Sequence, residues 1–416
     1  MGEATTVNSS TPPLARPRPL RLSLDIPLFL ALVFLLGFGL LMVYSASWMP
    51  SAAHTQGRSV SYFFTNQIKW AIVGSVIATF LMYFDYRRFY PFVLWMMGAT
   101  IVLLLAVLIF GQTLNYSRRT LLGGSIQPAE LAKLVTILYL AVWLQSKREV
   151  LNKITFGLLP LIFILGLVAG LILLEPDIST ALTILAIGGL LFFLAGVDLR
   201  QILLIILVVG VVAVFVTTFS STGQTRIRDF IAGLQDPLAA SYHIQRAQEA
   251  VVRGGILGVG IGEGTTKLTS LPLPHHDSIF AVIVEETGLV GASLLIAAYL
   301  VVLWRGLLIA RRAPDMAGAL IAAGISLWIT LEALMNILAM LNLLPATGNV
   351  LPFVSIGGSS LVTTLAGVGL LMSVARVSAR EQETTERRIY GAVVSLRRGD
   401  RRRRVSRPRH PSGIEQ

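Results

Sequence analysis

Apolar residues run in blocks along most of this chain, the first from Pro27 to Ser45, and polar residues gather in the breaks between blocks. A helix needs about 20 mostly apolar residues to cross roughly 30 Å of hydrocarbon. Blocks of that size lie near 26–46, 68–84, 90–110, 127–145, 154–174, 178–197, 200–219, 279–304, 316–341 and 359–377. The pattern predicts an all-α polytopic membrane protein with about ten transmembrane helices. The fifth and sixth blocks meet at Glu175-Pro176-Asp177, which predicts a tight hairpin at the membrane surface. One break is far longer than the rest. Residues 220–278 form the expected large external loop between the seventh and eighth helices.

Composition sharpens this picture. Of the residues, 54% are hydrophobic and 13% charged, and the mean hydropathy is +0.74, too little polar surface to clothe a soluble globule of this size. Of the 34 basic residues, 24 fall on one side when the N-terminus is placed in the cytoplasm: the segments with Arg16, Arg87, Arg88, Lys147, Arg148, Lys153, Arg200, Arg305 and Arg311, and the whole Arg-rich tail. Retention of positive charge in short cytoplasmic loops then puts both termini inside and the large loop outside. Residues 1–25, rich in Pro, Ser and Thr, read as a disordered cytoplasmic arm and not as a cleaved signal. Residues 26–378 read as the membrane domain and 379–416 as a basic cytoplasmic tail. That tail carries most of the net charge of +12, and attraction to anionic membrane lipids explains it better than a nucleic-acid partner does. Cysteine is absent, so disulfide and thiol chemistry are excluded.

Ionisable residues at membrane depth are costly and are functional candidates by default. Lys133 lies inside the fourth block, with Glu130 three residues before it on the same helical face. Gln127-Pro128-Ala129-Glu130 also reads as a helix start, so a cap with a local ion pair and a substrate contact both stay open for Glu130. Glu332 and Asn336 share a face of the ninth block, where they either tie helices together or line a cavity. Asp177 suits an N-cap of the sixth helix. The external loop holds Arg226 and Arg228, an amphipathic stretch through Tyr242, Gln245, Gln248 and Arg253, and then glycines at 254, 255, 258, 260 and 262. Such glycines suit a phosphate cradle, but without a preceding strand the close packing of a re-entrant backbone is the better account. Lys267 follows, and then Leu271-Pro272-Leu273-Pro274-His275-His276-Asp277 at the mouth of the eighth helix. Neighbouring histidines on an extended segment point apart, which argues against zinc. On residues alone Asp277 is a helix cap or a catalytic acid. The last external segment, 342–360, is broken by prolines and glycines. Irregular backbone at that depth must be buried in protein or line a cavity, so it reads as a pocket wall.

Four islands of sequence, taken in order, go further. They are Gln127-Pro128-Ala129-Glu130-Leu131-Ala132-Lys133-Leu134, Glu175-Pro176-Asp177-Ile178-Ser179-Thr180-Ala181, the loop from Gly254 through Asp277 to Glu286, and the wall from Leu344 to Ser360. Together they resemble the SEDS family of bacterial cell-wall polymerases, the FtsW, RodA and SpoVE group, over roughly residues 26–378. The resemblance implies a peptidoglycan glycosyltransferase of the bacterial cytoplasmic membrane that polymerises lipid II into glycan strands. It also implies a class B penicillin-binding protein as transpeptidase partner, alongside other division proteins. The family's essential acid aligns with Asp277 in His275-His276-Asp277-Ser278-Ile279-Phe280, and as a general base it would take the proton of the acceptor's 4-hydroxyl.

The expected substrate contacts around Asp277 are Lys133, Glu130, Arg118, Arg119, Arg226, Arg228, Lys267, His275, Glu286 and Ser355, with Lys133 and Arg226 favoured for the diphosphate leaving group. A magnesium or manganese ion bridging that diphosphate is compatible with the chemistry, but no residue is assigned to a metal. The sequence departs from the family at His276, Ser278, His243, Arg246, Ala247, Ile356, Thr120 and Glu332. Residues 246–250 and 262–267 look closer to the division branch of the family than to the elongation branch. The rival readings are a flippase for the lipid-linked precursor and a scaffold that recruits a transpeptidase. Polar residues cluster at the external end and the inner halves of the spans are bland, which favours an enzyme over a carrier.

Overall fold

A computed structural model describes residues 25–114, 117–120, 127–269 and 271–400. The disordered arm expected at 1–25 and the last part of the basic tail lie, apart from Asp25, outside these residues. Thirteen α-helices are described: α1 (Ile26–His54), α2 (Tyr62–Tyr83), α3 (Val93–Phe110), α4 (Pro128–Ser146), α5 (Leu159–Leu174), α6 (Ile178–Leu194), α7 (Leu199–Phe219), α8 (Ser221–Gln235), α9 (Tyr242–Gly254), α10 (Thr266–Thr269), α11 (Ile279–Arg312), α12 (Met316–Met340) and α13 (Gly358–Asp400). A short antiparallel ribbon, β1 (Gln112–Leu114) with β2 (Ser117–Thr120), follows α3. It is a small addition to the expected all-α fold.

Each of the ten apolar blocks falls within or largely overlaps a helix. Seven helical segments, those ending in α1, α3, α4, α5, α11, α12 and α13, are long and apolar enough to cross a membrane, and α6 and the first part of α7 are shorter apolar helices. α2 belongs to neither group, with Asn66, Gln67 and Lys69 in its first turns. Starts and stops follow local chemistry. Asp25 caps α1 by accepting from the Leu28 N–H at 3.2 Å, Pro128 opens α4, and Asp177 caps α6 through the Thr180 N–H at 3.2 Å. The expected hairpin at 175–177 is thus a helix end and a helix start with three residues between them.

α4, α12 and α13 are buried over most of their apolar length and form the inner layer, while α1 and α3 turn much of theirs outward. Outward-facing Phe80, Trp95, Phe110 and Phe163 are the surface that hydrocarbon covers. α2 and α13 approach closely where a Cβ on Gly369 would fall 2.5 Å from the Ala78 carbonyl, the small-residue packing typical of membrane helices. At the end of the bundle away from Asp277, Arg305 pairs with Asp25 at 2.6 Å and Arg87 with Glu381 at 2.6 Å.

The long loop is largely helical. α9 is the expected amphipathic helix, with Ile244, Ala247 and Ala250 buried. α8 was not expected. α11 is not one continuous rod: Gly288, at φ 67° and ψ −168°, divides it into a short half from Ile279 and a long membrane-crossing half. The glycine-rich segment lies against this break. The N–H groups of Val259 and Gly260 bond the carbonyls of Glu285 and Glu286, and a Cβ on Gly258 would sit 2.2 Å from the Glu286 carbonyl. Close backbone packing accounts for Gly254 and Gly258, and positive φ for Gly255, Gly260 and Gly262.

Candidate active site

Asp277 stands in the turn that enters α11, between buried elements on three sides. Its carbonyl accepts from Asn336 Nδ2 at 2.9 Å, and the same amide bonds the Asn349 carbonyl at 2.7 Å, so α12 holds the mouth turn and the 342–357 wall together. Two residues earlier, the His275 carbonyl accepts the Ile356 N–H at 3.0 Å, and the His275 ring stacks on Phe63 with centroids 4.9 Å apart. One residue later, Ser278 Oγ donates to the Pro272 carbonyl at 2.7 Å and accepts from His243 Nε2 at 2.5 Å. Leu273 and Phe353 are non-glycine residues at positive φ, 45° and 67°. Each such position costs on the order of 1 kcal/mol or more, and strain of this kind gathers at sites whose shape is fixed by their surroundings.

The backbone around Asp277 is held, yet its carboxylate is not. Oδ1 is buried and no described residue donates to it. The plain reading of Asp277 as a cap therefore fails, because Ser278 occupies the cap position and no side-chain cap bond is made there. Burial and the neighbouring His276 push the His275 imidazole down to about 4, against a smaller upward pull from Asp277. It is neutral at pH 7 and presents a buried Nδ1 with no described partner.

One helical turn from Asn336 on α12, Glu332 pairs with Lys133, whose ammonium also lies 2.9 Å from the Glu130 carboxylate and 5.4 Å from the Trp328 ring centroid. All three side chains are nearly inaccessible. Glu130 makes the local ion pair that its spacing from Lys133 suggests, and Lys133 is shared between two carboxylates. Arg226 of α8 donates to the Thr347 carbonyl at 3.1 Å, and Ser179 of α6 donates to the same carbonyl. Gln127 reaches Asp177 at 3.4 Å. The start of α4, the α5–α6 hairpin, α8, the mouth turn, α12 and the wall thus converge on one region.

The remaining candidates fall elsewhere. Arg118 and Arg119 lie on β2, and their side chains are outside the described set. Arg228, two residues from Arg226 and so on another face of α8, borders a groove of about 620 Å³ with Thr218, Gln224 and Gln235. Lys267 and Glu286 form a second buried ion pair, completed by Ser45 Oγ at 2.7 Å from each and by the Gly262 carbonyl at 3.0 Å from Lys267. Ser355 Oγ accepts the Leu351 N–H at 2.8 Å. Lys267, Glu286 and Ser355 are each buried with partners inside the protein, and there they hold the loop and the wall in shape. Ser45, Ser179, His243 and Asn349 escaped prediction as site residues. The signal for Ser45 was faint, a small polar residue in an apolar helix.

A bundle of apolar helices with a buried polar region at one end, and one unengaged carboxylate at its mouth, defines a polytopic membrane protein with a site facing one side of the bilayer. The model of the FtsW, RodA and SpoVE family, described as cell cycle protein, matches residues 26–380, and the chain belongs to that family. It is 36% identical over 382 residues to a probable peptidoglycan glycosyltransferase FtsW of Thioalkalivibrio sp., covering 89% of this chain and 95% of that one. A probable FtsW of Trichlorobacter lovleyi is 34% identical over 362 residues, covering 86% and 94%. Among solved structures, a peptidoglycan synthase complex coordinating polymerization and crosslinking aligns with TM-score 0.70 at 27% identity, covering 86% of this chain and 99% of that one. The rod shape determining protein RodA of Thermus thermophilus aligns with TM-score 0.63 at 26% identity, covering 86% and 98%.

Proposed function

We propose that this chain is a peptidoglycan glycosyltransferase that polymerises lipid II into glycan strands during division, at the outer face of the bacterial cytoplasmic membrane, with both termini in the cytoplasm. The carrying observation is the Asp277 carboxylate at the mouth turn, whose buried Oδ1 has no described donor although the backbone around it is held. Asn336 Oδ1 is likewise a buried acceptor without a described donor. Unfilled acceptors beside the mouth turn suit a polyhydroxylated ligand, which supplies the missing donors.

In the reaction, Asp277 takes the proton of the acceptor's 4-hydroxyl as that oxygen bonds the donor's anomeric carbon. The bond from that carbon to the diphosphate breaks, and the leaving group departs with the electron pair. Arg226 sits nearest the wall among the described cations and stabilises the growing charge, with Arg118 and Arg119 of β2 as further candidates. The lipid tail stays among the helices, which is why this chemistry is built inside a bilayer protein. Among the described residues no three His, Asp or Glu side chains form a metal-binding group.

A class B penicillin-binding protein is the expected partner, in keeping with the synthase complex to which the fold is similar. Purified full-length protein with that partner, in liposomes carrying fluorescent lipid II, should yield glycan ladders on a gel. Movement of labelled lipid across the bilayer without polymer would overturn the proposal in favour of a carrier.

A further inference from the structure

The glycine-rich segment 254–262 leaves apolar side chains that the site does not use. The carbonyls of Gly255 and Ile256 accept the N–H groups of Leu289 and Val290 at 3.0 and 3.2 Å, and Val259 and Gly260 donate back to Glu285 and Glu286, each at 3.0 Å. The segment therefore descends alongside α11 by about one turn, roughly 5 Å, and returns. Ile256 and Leu257 occupy its lowest point and are 69% and 80% exposed, next to exposed Leu289 and Val290.

Two helices measure how deep that point lies. α1 begins beside Asp25, which pairs with Arg305, and reaches Ser45, which bonds Glu286. The residues 26–45 at 1.5 Å each span about 30 Å, the thickness of the hydrocarbon. Along α11, residues 289–304 cover only about 24 Å and end at exposed Trp304, a residue type favoured at the boundary. With the Asp25–Arg305 pair at one boundary, Glu286 lies at the other, and Leu289 and Val290 lie below it. Tilting the bundle shortens both spans along the membrane normal and brings the segment deeper. Its four bonds to α11, with the Gly258 N–H to Gly254 carbonyl bond at 2.8 Å, satisfy backbone groups that hydrocarbon would leave unpaired.

We propose that residues 255–261 are a re-entrant wedge whose Ile256 and Leu257 side chains contact lipid acyl chains in the leaflet on the Asp277 side. The wedge anchors the long loop to the bilayer and keeps the mouth turn at a fixed height above the lipid. This inference stands apart from the catalytic reading, since it rests on depth and exposure alone.

The chain has no cysteine, so single-cysteine variants are clean probes. Leu257→Cys and Ile256→Cys, labelled with an environment-sensitive nitrobenzoxadiazole dye in phosphatidylcholine–phosphatidylglycerol vesicles, should emit to the blue of exposed Glu263→Cys and be quenched at least twofold more by doxyl-labelled lipid. Leu294→Cys, on the crossing half of α11, sets the fully embedded reference. Red emission with iodide quenching equal to that of Glu263→Cys would overturn the proposal. Because the vesicles hold no other protein, a shielded but lipid-inaccessible dye would overturn it too.

Discussion

The one hydroxyl proton of Ser278 goes to the Pro272 carbonyl, so His243 must donate to Ser278, and the residue after Asp277 is fixed from two directions. A hydrogen bond of this kind is worth about 0.5–1.5 kcal/mol, enough to move a misplaced base by up to about tenfold in rate. His243→Ala should lower kcat several-fold with KM unchanged, His243→Gln should retain most of the rate, and His243→Ala with Ser278→Ala should be no worse than either alone. Additive losses in the double variant would show that the two residues act separately. His275 supplies a pH prediction. Its native form is neutral down to about 4, whereas an unfolded histidine takes up its proton near 6.5. The unfolded state then binds more protons between these values, so the contribution of His275 to stability is complete above about 6.5 and declines as pH falls towards 4. In detergent, the thermal midpoint of His275→Phe, which keeps an aromatic ring beside Phe63, should lack that part of the acid-side decline.

At the scale of elements, the break in α11 is the feature on which the loop depends. A Cβ on Gly288 would lie 2.3 Å from the Ile256 carbonyl, and the residue is at φ 67°, so Gly288→Ala combines a clash with backbone strain of about 1–3 kcal/mol. Gly170→Ala, with nothing within 4 Å of the added carbon, is the matched control. Thermal unfolding should separate them clearly, and equal midpoints would argue against the packed break. This element also shows where reading the sequence stopped. Apolar blocks of span length declared the membrane helices directly, because length and hydropathy are local properties. The break was hidden, because the conformation of Gly288 is imposed by the 254–262 segment some thirty residues away. The pairing of Glu130 with Lys133 was legible from their spacing of three. Its third member, Glu332, is 199 positions from Lys133, a distance across which one sequence carries no pairing signal. Asp277 was legible only through the family motif, since a lone acid before a helix is indistinguishable from a cap until its hydrogen bonds are seen.

Across the whole molecule, two buried ion clusters act as ties. Lys133 joins α4 to α12 through Glu130 and Glu332, and Lys267 joins α10 to α11 and α1 through Glu286 and Ser45. Removing one partner of such a pair strands a charge and typically costs about 3–5 kcal/mol, whereas replacing both by apolar residues is often close to neutral. Lys267→Met should therefore lower stability sharply and Lys267→Met with Glu286→Leu should recover most of it, as measured by unfolding in detergent. Lack of recovery would assign the pair a role beyond structure. With both lysines paired in the frame, the account assigns catalysis to Asp277, whose buried Oδ1 has no donor among the described residues. Single-turnover elongation by Asp277→Asn beside native protein, with binding of labelled lipid II measured on the same samples, tests this most directly. The account predicts binding within about twofold of native and a loss in elongation of about 10²–10⁴-fold, the range for a missing general base. An asparagine variant that binds lipid II and extends glycan at the native rate would contradict it.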